Sequence, residues 1–450
     1  MITDQFLNSI RSIDRHLVKN NGFSCAKTCL LDYLSETLAG AAVFRDKELL
    51  YLKSLSCENG VASVFGLRHR SSLQTAALLN GMNAHVLELD DGHRSGAVHV
   101  GATIFSALLP VAEHEGLSME DVLWGAIIGY ETTVRLARAI QPGNKLRGFH
   151  ATGTCGTLGA TMAIAAALNF DFNQMKSALS AAVSSASGVL EMQEDNADLK
   201  PFNVGHAAMD AVAAAYIGKS GFIPPCDALG GKRGFLSVMT DVPKVDVLTS
   251  FDQREPLAIT QVYRKIYASC RHTHPAIDAA IALKNEYGLA VSDVDSVRVE
   301  TYMLAVAGHD HTEVKGVSSA KMSMPFSVAV ALHRSRAGVS DFCQETVSDQ
   351  SILDLSKRVS IVENKELSAL VPQKRAAILT IETNSGAFFS KRVDYPKGEP
   401  ENPLSDAEMN EKFISLCNLS GIDNNLCERV IRSVQEEDGD IHNLLLMLES

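Results

Sequence analysis

From Phe23 to about Gly40 the residues Cys25, Cys29, Leu30, Tyr33, Leu34 and Leu38 recur at helical spacing, with Ser24 as N-cap and Gly40 as the stop. The same period predicts helices from Ser72 to Leu87, Ser118 to Ala139, Gly153 to Leu168, Phe172 to Leu190 and Val204 to Lys219. The Ser118 helix opens on Ser-Met-Glu-Asp, a capping pattern. Strand-like alternation is almost absent before residue 255. After Arg264 the pattern changes: 294–302, 358–364, 376–383 and 387–395 are short and rich in β-branched or aromatic residues, and Asn384-Ser385-Gly386 between the last two signals a hairpin. Helical patterns at 275–288 and about 320–337 interleave with these strands. A polar Pro/Gly stretch at 396–405 reads as a linker, and Ser405 to Ser450 returns to amphipathic helix that rejoins the first part of the chain. The pattern is mainly α, with one α+β segment.

Composition narrows the ligand. The chain has 450 residues, is 46% hydrophobic and carries a formal net charge of -12, which opposes extended contact with nucleic-acid phosphates or anionic lipid. An anionic ligand must therefore meet a local basic pocket. Nine cysteines, among them Cys57, are scattered without a CxxC, and the spacing of Cys25 and Cys29 suits a helix face better than a zinc knuckle. Dispersed thiols, no N-terminal apolar leader pattern and no apolar run of membrane-spanning length together predict a cytoplasmic protein with no membrane partner.

Four segments carry candidate chemistry. The first runs from Asn80 to Ser95 and on to His99, with Glu88, Asp90, Asp91 and His93 inside it; such polar groups on a buried helix cost stability unless paired, a cost that functional sites tolerate. A solvated acidic loop is the alternative. The second, Arg147 to Gly159, has a GxxGxxG spacing with no preceding strand and no following Lys-Ser/Thr, so nucleotide binding is rejected and close helix packing explains the glycines. His150 stands just before that helix, where an imidazole and a helix N-terminus can hold an anion. The third places Lys200 before Pro201 at the mouth of an alanine-rich helix, although a lone lysine is more often solvated. The fourth, Arg264 to Pro275, gathers Lys265, Arg271, His272 and His274. Neither this His pair nor His309/His311 has a third ligand at a typical spacing, so anion binding is expected there and no metal.

Together and in this order the four segments resemble the MmgE/PrpD family of 2-methylcitrate dehydratases, cis-aconitate decarboxylases and iminodisuccinate epimerases. The resemblance spans nearly the whole chain and includes Asp32 with Leu38-Ala39-Gly40, the Asn80 to Asp91 block, Gly148-Phe149-His150, Lys200-Pro201, Arg233-Gly234-Phe235, Lys265 with His274, Ala320-Lys321-Met322-Ser323, and Lys397-Gly398 with Asn402-Pro403. It implies a large all-helical domain built from both chain ends (1–264 and 404–450), an inserted α+β lid (265–403), a homodimer, no cofactor, and a cleft that takes a small di- or tricarboxylate. It further implies a catalytic set of His99, His150, Lys200 and Lys265 with an acidic residue supplied by Glu88, Asp90 or Asp91, of which Asp91 is taken as catalytic and Glu88 and Asp90, with His93, Arg271 and His274, as substrate-binding. Two departures stand out: Gly92 replaces the family's threonine after Asp-Asp, and His99-Val100-Gly101 replaces His-Pro-Ser.

Chemistry next to a carboxylate needs cations for the developing charge and a proton-exchanging group of suitable pKa, and the lysines and histidines above supply both. Loss of water is the first expectation, as the broadest family activity. Decarboxylation and epimerisation follow, and a carboxylate-binding dimer without catalysis is the competing class.

Overall fold

The computed structural model describes residues 1–55, 60–194, 197–250, 255–436 and 439–448; Cys57 lies outside them. The first long helix is Arg15–Ser54, started by Asp14, whose carboxylate accepts from the His16 amide. It runs well past Gly40. That glycine does not stop the helix; it admits the next one, because a Cβ there would lie 2.0 Å from the Asn83 carbonyl oxygen.

The expected helices follow: Leu73–Val86 capped by Ser72, Met119–Ile140 with a Ser118/Asp121 capping box, Ala151–Ala167, Phe172–Ser185 and Phe202–Lys219. Phe172–Ser185 ends short of Leu190, and the chain turns into a separate 3-10 segment, Leu190–Gln193. The glycines of Ala151–Ala167 are contact points. A Cβ on Gly159 would fall 1.7 Å from Thr133 Oγ1 of Met119–Ile140, and one on Gly156 would fall 2.9 Å from Thr103. Gly81 and Gly205 do the same for Leu73–Val86 against Phe202–Lys219: a Cβ on Gly81 would sit 2.7 Å from the Gly205 Cα. This close crossing brings the ends of the two helices, and so Glu88 and Lys200, together.

Strands do occur before residue 255, in pieces too short to show alternation: Ala62–Val64 pairs with His69–Ser71, and Gly92–His93 pairs with Val262–Tyr263. The main sheet has four strands in the order Val359–Glu363, Val294–Thr301, Ala377–Thr383, Phe388–Val393. Its first pair is parallel and the others antiparallel. Ala377–Thr383 alternates buried and half-buried positions, the signature of one covered face, and His274–Tyr287 lies against that sheet.

After the sheet, Asp406–Leu419, Asn424–Gln435 and Ile441–Leu448 return to the helical part. Lys412 fixes the return, donating to Asp32 Oδ1 at 2.6 Å and Glu36 Oε1 at 2.7 Å on Arg15–Ser54. One hydrophobic core joins residues from Phe6 to Val262 with Phe413 to Leu448; a second joins Tyr267 to Ile381 and touches the first part through Ala39, Leu87 and Leu89. Leu87 and Leu89 flank Glu88, so the first acidic segment lies where the two cores meet. No helix among the described residues is long and apolar enough to cross a membrane.

Candidate active site

The site begins where Leu73–Val86 ends. Glu88 takes a left-handed backbone (φ 59°), uncommon for a residue with a side chain, and the chain then reverses through Asp90 and Asp91. His85, in the helix's last turn, is fully buried, and its Nδ1–H donates to Asp90 Oδ2 at 2.8 Å. The same oxygen lies 3.2 Å from His99 Nδ1, which also faces the Asp91 carbonyl at 3.0 Å. Both contacts are acceptors, so His99 carries its proton on Nδ1 and Nε2 is left as the basic nitrogen. His150 is the residue before Ala151–Ala167. Its Nδ1 faces the amide Nδ2 of Asn203 at 3.5 Å, and Asn203 is held in that orientation by donating to the Val189 carbonyl at 3.0 Å. That contact suits a proton on His150 Nε2, the opposite tautomer from His99. The three rings cluster, with centroids 4.9 Å (His85 to His99), 5.9 Å (His85 to His150) and 6.4 Å (His99 to His150) apart.

Three lysines converge on the same turn. Lys200 donates to Glu88 Oε1. Lys265, fully buried, donates to the Glu88 carbonyl at 2.9 Å and lies 3.7 Å from Glu88 Oε2 and 3.9 Å from Asp90 Oδ1. Lys321 donates to the carbonyls of Val86 and Leu87, each at 3.3 Å. Three ammonium groups thus face two carboxylates, and the excess positive charge suits an anionic ligand. Asp90 Oδ1 and His85 Nε2 are buried with no hydrogen-bond partner, leaving an acceptor and a ring nitrogen for a guest.

The electrostatics follow from this crowding. Burial alone would raise the Glu88 carboxyl, but Lys200, His85 and Lys265 outweigh it and hold Glu88 well below the usual range. Asp90 is likewise held low against burial by His85 and His99. Burial, then Lys200, His85 and His99, push His150 well below an ordinary imidazole, which keeps it neutral. Burial is also the main cause that lowers Lys321 to about 8, with Glu88 opposing and Lys265 and Lys200 adding to the fall.

Of the acidic candidates, Asp90 meets the histidines and Asp91 does not. The Asp91 carboxylate turns away from the imidazoles: Oδ2 accepts from the Tyr130 hydroxyl at 2.5 Å and Oδ1 from the Gly101 amide at 2.8 Å. It fixes the start of Gly101–Glu115 and hence the His99 loop, while Asp90 touches the histidines. His93 also lies apart from the cluster. It pairs with Val262 and Val98, and its Nδ1 accepts from the Gly96 amide at 3.2 Å. Burial and then Arg138, Arg94 and Arg375 depress it to about 3, so it acts as a neutral hairpin residue. Arg271 donates to Glu399 Oε1 at 2.6 Å and lies over the Tyr263 ring, with Nε and Nη1 unpartnered. His274 is fully buried, with Nε2 3.3 Å from the Ser269 carbonyl and Nδ1 unpartnered.

His85 and Lys321 enter the cluster although neither was expected in the site. His85 stands one helical turn before Glu88, a spacing that places both at one helix end. Lys321 gave no signal beyond its place in a family motif. His272 and His309 sit with ring centroids 5.0 Å apart, away from the three clustered imidazoles, and His272 Nδ1 faces the Tyr302 hydroxyl at 2.6 Å. Among the described residues one group has three ligand atoms close enough to hold a cation: His85, Asp90 and His99, within 4.8 Å of one another.

The sequence comparisons bear directly on this geometry. Residues 10–248 match the MmgE/PrpD N-terminal domain and residues 267–437 the MmgE/PrpD C-terminal domain. The chain belongs to the MmgE/PrpD family. It is 24% identical to a cis-aconitate decarboxylase-like protein of Aspergillus oryzae, across 99% of this chain and 97% of the relative. It is also 24% identical to the cis-aconitate decarboxylase of Aspergillus terreus (87% of this chain, 84% of the relative) and to that of Mus musculus (92% and 86%).

Gly92 and Gly101 have a local cause in this MmgE/PrpD chain. A Cβ on Gly92 would fall 2.4 Å from the Tyr263 hydroxyl oxygen, and one on Gly101 would fall 2.6 Å from that of Tyr130. Two tyrosine hydroxyls occupy the space that the larger residues need.

Proposed function

We propose that this MmgE/PrpD enzyme is a lyase that removes carbon dioxide from a small unsaturated tricarboxylate of the cis-aconitate type. This reading replaces loss of water as the leading expectation, because the relatives that span nearly the whole chain are named cis-aconitate decarboxylases or decarboxylase-like. The observation that carries it is the meeting of His99 and His150 with Lys200, Lys265 and Lys321 around Glu88.

When the carboxyl group leaves, its bonding electron pair moves into the conjugated alkene, and negative charge builds on the retained carboxylates. Lys200, Lys265 and Lys321 stabilise that charge within a buried setting where each cation acts more strongly than in water. His99, oriented by Asp90 and by the Asp91 carbonyl, takes a proton from solvent at Nε2 and passes it to carbon, which returns the ring to its starting form, while the neutral His150 ring donates a hydrogen bond to a retained carboxylate. Asp91, through Tyr130 and the Gly101 amide, positions His99 without touching substrate.

The test is substitution of the two donors of opposite kind. His150→Ala and Lys200→Ala should each lower turnover of cis-aconitate by about 10²-fold or more. Unchanged turnover in both variants would mean that the site lies elsewhere.

A further inference from the structure

Cys270 and His309 form a pair that the reading above does not use. His309 is oriented from behind: its Nδ1–H donates to the Ala307 carbonyl at 3.0 Å, and its Nε2 lies 3.1 Å from Cys270 Sγ. This is the arrangement of a thiol with its own base, the base held by a third group. Both residues are half-buried. The His309 imidazole and then the Lys200 ammonium overcome burial and bring the thiol down to about 6, while Cys270 raises His309. Lys145 stands within electrostatic reach of both partners. Near this patch also lie His272, which is held neutral, Tyr302, Arg271, Arg375 and the Glu399 carboxylate. Cations therefore outnumber the carboxylate around the pair.

The backbone connects this pair to the lysine cluster. The Cys270 amide donates to the Lys321 carbonyl at 2.9 Å, and the Lys321 ammonium holds the two carbonyls just before Glu88. A group attached to Cys270 would sit one hydrogen bond from the residue that supports Glu88.

We infer that Cys270 and His309 form a covalent-modification site for small carboxylated electrophiles, with Lys145 and Lys200 attracting the carboxylate. The cellular class that fits is a carboxylate-conjugated alkene. The thiolate forms a carbon–sulfur bond at the β carbon, the π pair moves to the α carbon, and the His309 imidazolium proton is transferred to that carbon to leave a thioether. With a haloacid the same attack expels halide. The inference does not depend on which acid the lysine cluster turns over.

The test is mass-resolved alkylation of the intact protein at pH 6.5, with exposed Cys226 as the internal reference. Iodoacetate should label Cys270 at least about tenfold faster than Cys226, and the preference for iodoacetate over iodoacetamide should be larger at Cys270. Maleate should form a thioether at Cys270 and none at Cys226. His309→Gln should abolish the lead of Cys270 and leave the Cys226 rate and the melting temperature unchanged. Cys270 reacting no faster than Cys226, a lead that survives His309→Gln, equal charge preference at the two thiols, or no maleate adduct would each overturn the proposal.

Discussion

Oδ2 of Asp90 lies 2.8 Å from Nδ1 of His85, and the same oxygen reaches His99 at 3.2 Å, so one carboxylate orients two imidazoles. Asp91, its neighbour in sequence, orients a helix terminus instead. The two aspartates should separate cleanly on substitution. Asp90→Asn should lower kcat for cis-aconitate by about 10²-fold or more with a much smaller change in KM, because it disturbs proton transfer rather than binding. Asp91→Asn should cost about 1–3 kcal/mol in urea unfolding, from the weakened Tyr130 and Gly101 contacts, with a smaller loss of kcat.

Lys321 sets an alkaline limit. Burial brings it to about 8, so it loses its charge as pH rises through that value, and the lysine cluster then holds a carboxylate less well. Calorimetric affinity for the saturated tricarboxylate tricarballylate should therefore weaken between pH 7 and 9. Lys321→Met should bind more weakly at pH 7 and show a flatter pH dependence; a wild-type affinity that is constant to pH 9 would remove Lys321 from the site.

The crossing of Leu73–Val86 with Phe202–Lys219 is what brings Glu88 to Lys200. Gly81→Ala places a methyl group against the Gly205 backbone, where no flexible side chain can move aside. It should destabilise the protein by about 1–3 kcal/mol and lower turnover as well, because the helices must separate. Thermal unfolding and steady-state kinetics of the same preparation check both effects.

Helices were legible where a cap and a 3.6-residue period coincide, as at Ser72 and Ser118. The period failed at Gly40, because a glycine that admits a neighbouring helix looks in sequence like one that ends its own. The two- and three-residue strands carry too few positions for alternation to register. In the site, His99, His150, Lys200 and Lys265 stand out in the sequence, and the fold gathers them from separate elements around the turn at Glu88. The roles of Asp90 and Asp91 were not readable, since adjacent residues point in different directions and only the Tyr130 hydroxyl and the Gly101 amide decide which carboxylate faces the histidines. His85 falls inside the first candidate segment, but its role was not readable, because the turn after the helix decides that Asp90 is its partner.

Acid should destabilise the fold through its buried neutral histidines. His85, His150, His272 and His274 are all depressed, burial being the largest cause in each. A histidine whose folded pKa lies below its unfolded value contributes stability that is full above about 6.5 and is lost as pH falls toward the folded value. The melting temperature should drop between pH 7 and 5, and His274→Gln should make that drop shallower. Equal slopes in the two proteins would show that His274 is not buried in its neutral form.

The most direct measurement is proton NMR of the purified enzyme in deuterated water with cis-aconitate, 2-methylcitrate and iminodisuccinate supplied separately, with carbon dioxide release followed in parallel. Carbon dioxide released from cis-aconitate, with one deuterium incorporated into the product, is the predicted result. Loss of water from 2-methylcitrate or exchange at the α carbon of iminodisuccinate, with cis-aconitate left intact, would contradict it.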